Sequence, residues 1–155
     1  MPSSPDATLR SLRTASFSDL DPRTAYLLWQ LRVGVFVVEQ GCAYAELDGL
    51  DLDETTRHLW VEDDGIPVAY LRILVEPDDT RRIGRVCTAA HVRRQGLAAR
   101  LMDQAMRDVG DRRCVLNAQA YLAGWYTRWG FQVVGPEFLD DGIPHLPMAL
   151  DGTRA

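Results

Sequence analysis

The most restrictive part of this sequence is the passage from Arg82 to Gly110, where strand text gives way to a helix through a short glycine-bearing turn. Arg82 to Thr88 reads as a strand, and Ala89 to Gln95 is a polar connection. Leu97, Leu101, Met102, Ala105, Met106 and Val109 then recur at helical spacing up to a stop at Gly110. Between them stands Arg93-Arg94-Gln95-Gly96-Leu97-Ala98-Ala99, with small residues at positions 96 and 98. A helix that begins there leaves its first N–H groups unsatisfied and presents the positive end of its dipole, an arrangement suited to phosphate. Arg93 and Arg94 add charge beside it. On this segment alone, a plain strand-to-helix turn with exposed arginines explains the residues equally well.

The remaining elements order themselves around that passage. Asp21-Pro22 supplies an N-cap acid and a first-turn proline. Leu27, Leu28, Leu31, Val35 and Val38 continue from it as an amphipathic helix. Glu39 to Arg57 is acidic and glycine-bearing, a long loop with room for one helical turn; loops of that length are usually functional or disordered. His58 to Glu62 and Val68 to Val75 flank the turn Asp63-Asp64-Gly65 as a hairpin. After the central helix come a strand at Cys114 to Gln119, a short helix from Leu122 to Trp129 stopped by Gly130, and strands at Phe131 to Val134 and His145 to Leu150. The expected fold class is α/β (α+β): one domain over residues 11–152, with a mixed sheet of about six or seven strands flanked by about four helices. Residues 1–10, which lack signal-peptide character, read as a disordered tail.

At 155 residues the chain has room for one real core. Its net charge of −5 argues against a nucleic-acid binder, despite a local cluster at Arg81, Arg82, Arg85, Arg93, Arg94 and Arg100. No apolar run reaches the roughly 18 residues of a membrane span. Cys42, Cys87 and Cys114 are widely spaced and form no C-x-x-C pair, so neither a disulfide framework nor a metal site is expected, and the cytoplasm is the expected compartment.

Further on, Trp125-Tyr126-Thr127-Arg128-Trp129-Gly130-Phe131 follows the phosphate-type turn by one helix and one strand. The pair of motifs resembles the GNAT superfamily of N-acetyltransferases, with Arg93, Gly96 and Ala98 at the positions of its Q/R-x-x-G-x-G/A loop. Longer stretches are similar to the ElaA-like subgroup. They include Leu31-Arg32, Phe36 to Gln40, Cys42, Tyr44, Asp48-Gly49, Arg72-Ile73-Leu74 and Ile83 to Val86. Ala118-Gln119-Ala120 and Asp141-Gly142-Ile143-Pro144-His145 continue the likeness. The resemblance implies acetyl-CoA as acyl donor and no metal. The backbone from Arg93 through Arg94, Gln95, Gly96, Leu97 and Ala98 to Ala99 would hold the pyrophosphate, while Val86, Cys87 and Thr88 would pair with the pantetheine arm. Asn117 and Tyr126 complete the implied cofactor contacts.

Acetyl transfer to an amine needs both substrates in one cleft, a donor for the oxyanion and a proton for the leaving thiolate. The resemblance places Tyr126 as that proton donor. An amine with a pKa of about 10.4 must also lose a proton before attack. Glu39, Gln40, His58, Gln119 and His145 are the candidates. Glu39 leads because the apolar run Val35 to Val38 is expected to raise its pKa. Gln40, Tyr44, Asp48, His58, Arg72, Gln119 and His145 are expected to line one polar acceptor pocket. The alternative for Asp48 and Arg72 is a tie between loop and sheet. The expected partner is a small-molecule or peptide amine, acting on a monomer or homodimer; the rival function is a weakly active or inactive acyl-CoA sensor.

Overall fold

The computed structural model describes residues 10–152. The expected tail therefore lies outside the described residues, except for Arg10, which opens a strand, β1 (Arg10–Ala15). The first helix, α1 (Pro22–Val33), starts as its cap residues require, with the Asp21 carboxylate accepting the Thr24 N–H at 2.8 Å and proline in the first turn. It does not run on unchanged to Val38. From Gly34 to Glu39 the backbone widens into a π-helical turn, marked by the Gln40 N–H donating to the Val35 carbonyl five residues back. The wider turn rotates the side chains out of the helical phase. Val38, expected on the apolar stripe, is exposed, and Arg32 occupies the stripe instead, fully buried between Leu28 and Val35.

Among the described residues the sheet is mixed and has eight strands. Besides β1 these are β2 (Arg57–Asp63), β3 (Ile66–Val75), β4 (Arg81–Thr88), β5 (Cys114–Gln119), β6 (Gln132–Val133), β7 (Phe138–Asp140) and β8 (Ile143–Leu150). Their order is β1-β2-β3-β4-β5-β8-β6, with β7 also on β8. All pairs are antiparallel except β4 with β5. α2 (Leu97–Val109) and the short α3 (Ala123–Tyr126) make three α-helices among the described residues. The strands missed by the sequence pattern are β1, which follows too weak an alternation, and β7, which has three residues, all exposed.

Strand alternation divides the core into two layers. Leu59, Val61, Leu71 and Ile73 face α2 and α3, where Leu101, Met102, Ala105, Tyr126 and Phe131 are buried. Trp60, Tyr70 and Cys87 face α1, against Leu28 and Val35. The α1 layer also holds charge. Arg32 Nε donates to Glu46 at 2.8 Å and its Nη1 to Asp51 at 2.7 Å, which pins the long loop after Glu39 onto α1. That loop contains one short helical turn, Leu50–Leu52.

Removing one partner from a buried ion pair strands the others without solvent. Arg32→Ala should therefore destabilise the protein by roughly 3–5 kcal/mol in urea unfolding. A loss below about 1 kcal/mol, the range of exposed pairs, would show that Glu46 and Asp51 are solvated.

Candidate active site

β4 and β5 pair only at Arg81 with Cys114 and Arg82 with Val115. Beyond that point β4 carries a bulge: its register against β3 shifts opposite Leu71, and Arg85 takes a left-handed φ of 54°. The two strands part, and a cleft of about 910 Å³ opens between them. The Ala89 N–H donates to the Val68 carbonyl, so alternation turns the backbone groups of Val86 and Thr88 away from β3 and toward the gap. Cys87 points the other way, into the α1 layer, where burial pushes its thiol up to about 12.

At the mouth of the gap lies the turn into α2. Arg94 and Gly96 both take left-handed conformations, φ 66° and 76°, on either side of Gln95. Successive N–H groups in such a turn converge on a concavity that favours an anion. No side chain caps α2, and its first backbone bond runs from the Arg100 N–H to the Gly96 carbonyl. The N–H groups of Leu97, Ala98 and Ala99 are thus without intrahelical partners. A Cβ built on Gly96 meets nothing within 4 Å, so the space in front of this turn is open. Arg93, Arg94, Gly96, Leu97, Ala98 and Ala99 all border the cleft. Gln95 does not; its side chain accepts from the Arg10 guanidinium.

The opposite wall comes from β5 and α3. Asn117, Gln119 and Tyr126 border the cleft. Tyr126 is buried, edge-on to Trp125 at 4.9 Å between ring centroids and edge-on to Phe131 at 6.4 Å. Burial holds its hydroxyl well above the usual phenol range, so it carries its proton at neutral pH.

The residues expected to form one acceptor pocket divide into two groups. Gln40, Tyr44, Arg72, Gln119 and His145 border the cleft. His58 does not. It is fully buried, with Nδ1 2.6 Å from the Tyr70 hydroxyl and Nε2 3.1 Å from the Asp51 carbonyl. Asp48 is likewise turned from the cleft into an ion pair with Arg72, at 2.6 Å. Arg72 also reaches Asp51 at 3.0 Å, and Arg85 joins the set through Glu46 at 2.9 Å. Loop and sheet are therefore tied by three arginines and three carboxylates of balanced charge, of which the pocket expectation included only Asp48 and Arg72. Arg32 was the legible clue: an arginine at the centre of an otherwise apolar helix stripe requires a buried partner.

Glu39 departs from expectation in the direction of its shift. It is exposed and held by Arg93 at 2.7 Å, and that hydrogen bond and charge lower its carboxyl pKa instead of raising it. The π-helical turn aims it at the α2 turn and away from the apolar run that precedes it.

Comparison with known proteins identifies the family and the fold. The acetyltransferase (GNAT) domain family matches residues 33–151. A UPF0039 protein of Mycobacterium tuberculosis is 49% identical over 147 residues, 92% of this chain and 94% of its own. Protein ElaA of Escherichia coli is 38% identical over 146 residues, 89% of this chain and 94% of its own. An acyl-CoA N-acyltransferase of Pseudomonas aeruginosa superposes with a TM-score of 0.86 at 41% identity, covering 90% of this chain and 98% of that one. The crystal structure of E. coli ElaA gives 0.85 at 36% identity over the same shares. At 12% identity, an aminoglycoside 6'-N-acetyltransferase complexed with coenzyme A shares the fold, with a TM-score of 0.68. The chain belongs to the GNAT acetyltransferase family, whose fold supports acyl-CoA-dependent acyl transfer. Within that family it stands with the ElaA-like proteins. No helix among the described residues is long and apolar enough to cross a membrane.

Two titrations in the tie should be visible in stability. Burial lowers the His58 pKa from its ordinary 6.5, so the unfolded chain binds the extra proton and stability falls as pH drops below about 6.5. Burial would raise Asp48, but the Arg72 hydrogen bonds and charge overcome it and hold the carboxyl at about 2. Its contribution is complete above its ordinary 3.8 and is lost as pH falls through about 2. Urea midpoints measured from pH 8 to pH 5 should decline, and His58→Gln should flatten that decline. An equal slope in both proteins would contradict the assignment.

Proposed function

We propose that this protein transfers an acetyl group from acetyl-CoA to a primary amine by direct attack within one cleft. The observation that carries the reading is the parting of β4 from β5 with an uncapped helix N-terminus at its mouth. The residues fit a coenzyme A thioester. An extended amide-bearing arm has the gap-side backbone of Val86 and Thr88 to pair with, as an added strand pairs with a sheet edge. A pyrophosphate has the open turn from Arg93 to Ala99, whose amides and arginines match its charge.

Bound there, acetyl-CoA supplies an activated carbonyl with a thiolate leaving group. The chain does the rest by position and proton transfer. The β4 edge aligns the thioester, so the acceptor meets it at high effective concentration. A backbone N–H on the gap side of β4 is fixed in place to stabilise charge developing on the carbonyl oxygen. Tyr126, protonated and water-poor, donates its hydroxyl proton to the departing sulfur as the carbon–nitrogen bond replaces the carbon–sulfur bond. The aromatic packing of Trp125 and Phe131 holds that ring in one orientation. The amine is the expected acceptor because Gln40, Tyr44, Gln119 and His145 give the cleft hydrogen-bonding side chains beside the thioester position.

Tyr126→Phe should lower turnover by on the order of 10²-fold with acetyl-CoA affinity unchanged, as read by thiol release and calorimetry. Full turnover in this variant would remove Tyr126 from the reaction. Gly96→Val should weaken acetyl-CoA binding by at least about tenfold, since a branched side chain is strained at φ 76° and fills the open space before the turn. Wild-type affinity would show that the pyrophosphate lies elsewhere.

A further inference from the structure

The reaction proposed above still requires a group to take the proton from the attacking amine, and the structure separates the candidates. Gln40 and Gln119 do not titrate. His58 is sealed in the core, with both ring nitrogens engaged. Glu39 is bound to Arg93, and its lowered pKa makes it a weaker base. Tyr44 gives its hydroxyl proton to Glu46, inside the loop–sheet tie. His145 remains.

Its geometry suits the task. His145 sits on β8 opposite Gln119 of β5, borders the cleft and is only half-buried. Its Nδ1 lies 2.7 Å from the Ile143 carbonyl oxygen. A carbonyl only accepts, so Nδ1 carries the proton in that bond, and the neutral ring keeps its lone pair on Nε2. The ring also stacks on Phe138, at 5.8 Å between centroids and 26° between planes, which limits its rotation. Backbone bond and stacking together set both tautomer and orientation without occupying Nε2. No hydrogen bond to Nε2 is made among the described residues.

Resting on the acyl-transfer reading, we propose that His145 is the catalytic general base, its Nε2 accepting the proton that the acceptor amine loses as it attacks the thioester carbonyl. His145 gains one proton at Nε2 and Tyr126 gives one to the sulfur, and the balance closes when a proton returns from His145 to Tyr126 through solvent after the products leave. Other titratable groups bordering the same cleft are Cys42, whose thiol reaches the Asp141 carbonyl at 3.6 Å, Cys87, Asp140 at the end of β7 and Asp141 after it, Tyr121 and Tyr44, and the Glu39–Arg93 pair across from β5. Arg72, Arg82, Arg85, Arg94 and Arg128 are the cleft's other cations.

The test measures the pH dependence of thiol release from acetyl-CoA in the wild type, His145→Gln and His145→Ala. The amine panel is L-lysine, an aliphatic diamine and a tripeptide with a free N-terminus. Wild-type kcat/KM for the amine should rise with pH through one inflection that belongs to the base. Both variants should lose that inflection and fall by about 10²-fold or more at pH 7, with acetyl-CoA affinity retained. Added imidazole should restore part of the rate to His145→Ala. Nitrogen NMR on the folded wild type, which depends on no variant, should show His145 protonated at Nδ1. Wild-type rates and an intact inflection in both variants, or an Nε2–H tautomer, would overturn the base while leaving acyl transfer standing. Absence of turnover by the wild type on every amine would overturn acyl transfer and His145 together.

Discussion

A parallel pair of strands that separates after two paired residues leaves backbone groups facing a gap, and a buried amide without a partner is costly. β4 and β5 avoid that cost because the gap is open enough to be filled from outside. The bulge at Arg85 begins the separation and the α2 turn marks its other end. Val86 and Thr88 are consequently presented as a sheet edge inside the molecule, between two walls that cannot close on each other. The cleft, its unpaired amides and the helix terminus at its mouth all follow from that one interruption in the sheet.

The interruption needs support from the α1 side, where β3, the bulge and the loop after Glu39 meet. Arginines from α1, β3 and β4 converge there on Glu46, Asp48 and Asp51 of the loop. Buried ion networks contribute little net stability compared with apolar packing, yet breaking one is severe. The network therefore acts as a constraint on position. Arg85, at the bulge, belongs to it, so the same charges that hold the loop also hold the backbone that lines the gap. The π-helical turn serves the same geometry by placing Glu39 against Arg93.

Much of this was legible from local pattern. The Asp21-Pro22 start, the hairpin across Asp63-Asp64-Gly65 and the α2 stripe each rest on interactions among residues near in sequence. The Gly96 turn and the aromatic segment around Tyr126 were legible for the same reason. β1 and β7 were not, because an edge strand is defined by its partner and carries little alternation of its own. Val38 was misassigned because one extra residue in a helical turn shifts the phase of everything after it. The expected pocket mixed cleft residues with tie residues, since a polar side chain reads alike whether it faces solvent or an ion partner.

The sequence by itself determined the α/β order, the glycine-bearing turn that opens α2 and the tyrosine set among aromatics, since cap, spacing and turn chemistry act over a few residues. Only the tertiary structure decided which charges are occupied and which are available. Glu39 and Arg93 lie 54 residues apart and neutralise one another, while Arg72 and Asp48 lie 24 apart and pair with the arginine buried and the carboxylate at the loop surface. His58 and His145 are the same residue type with opposite settings, one engaged at both nitrogens in the core and one at the cleft bonded, among the described residues, through Nδ1 alone. That difference comes from packing between distant segments, which sets solvent access and hydrogen-bond partners for each ring.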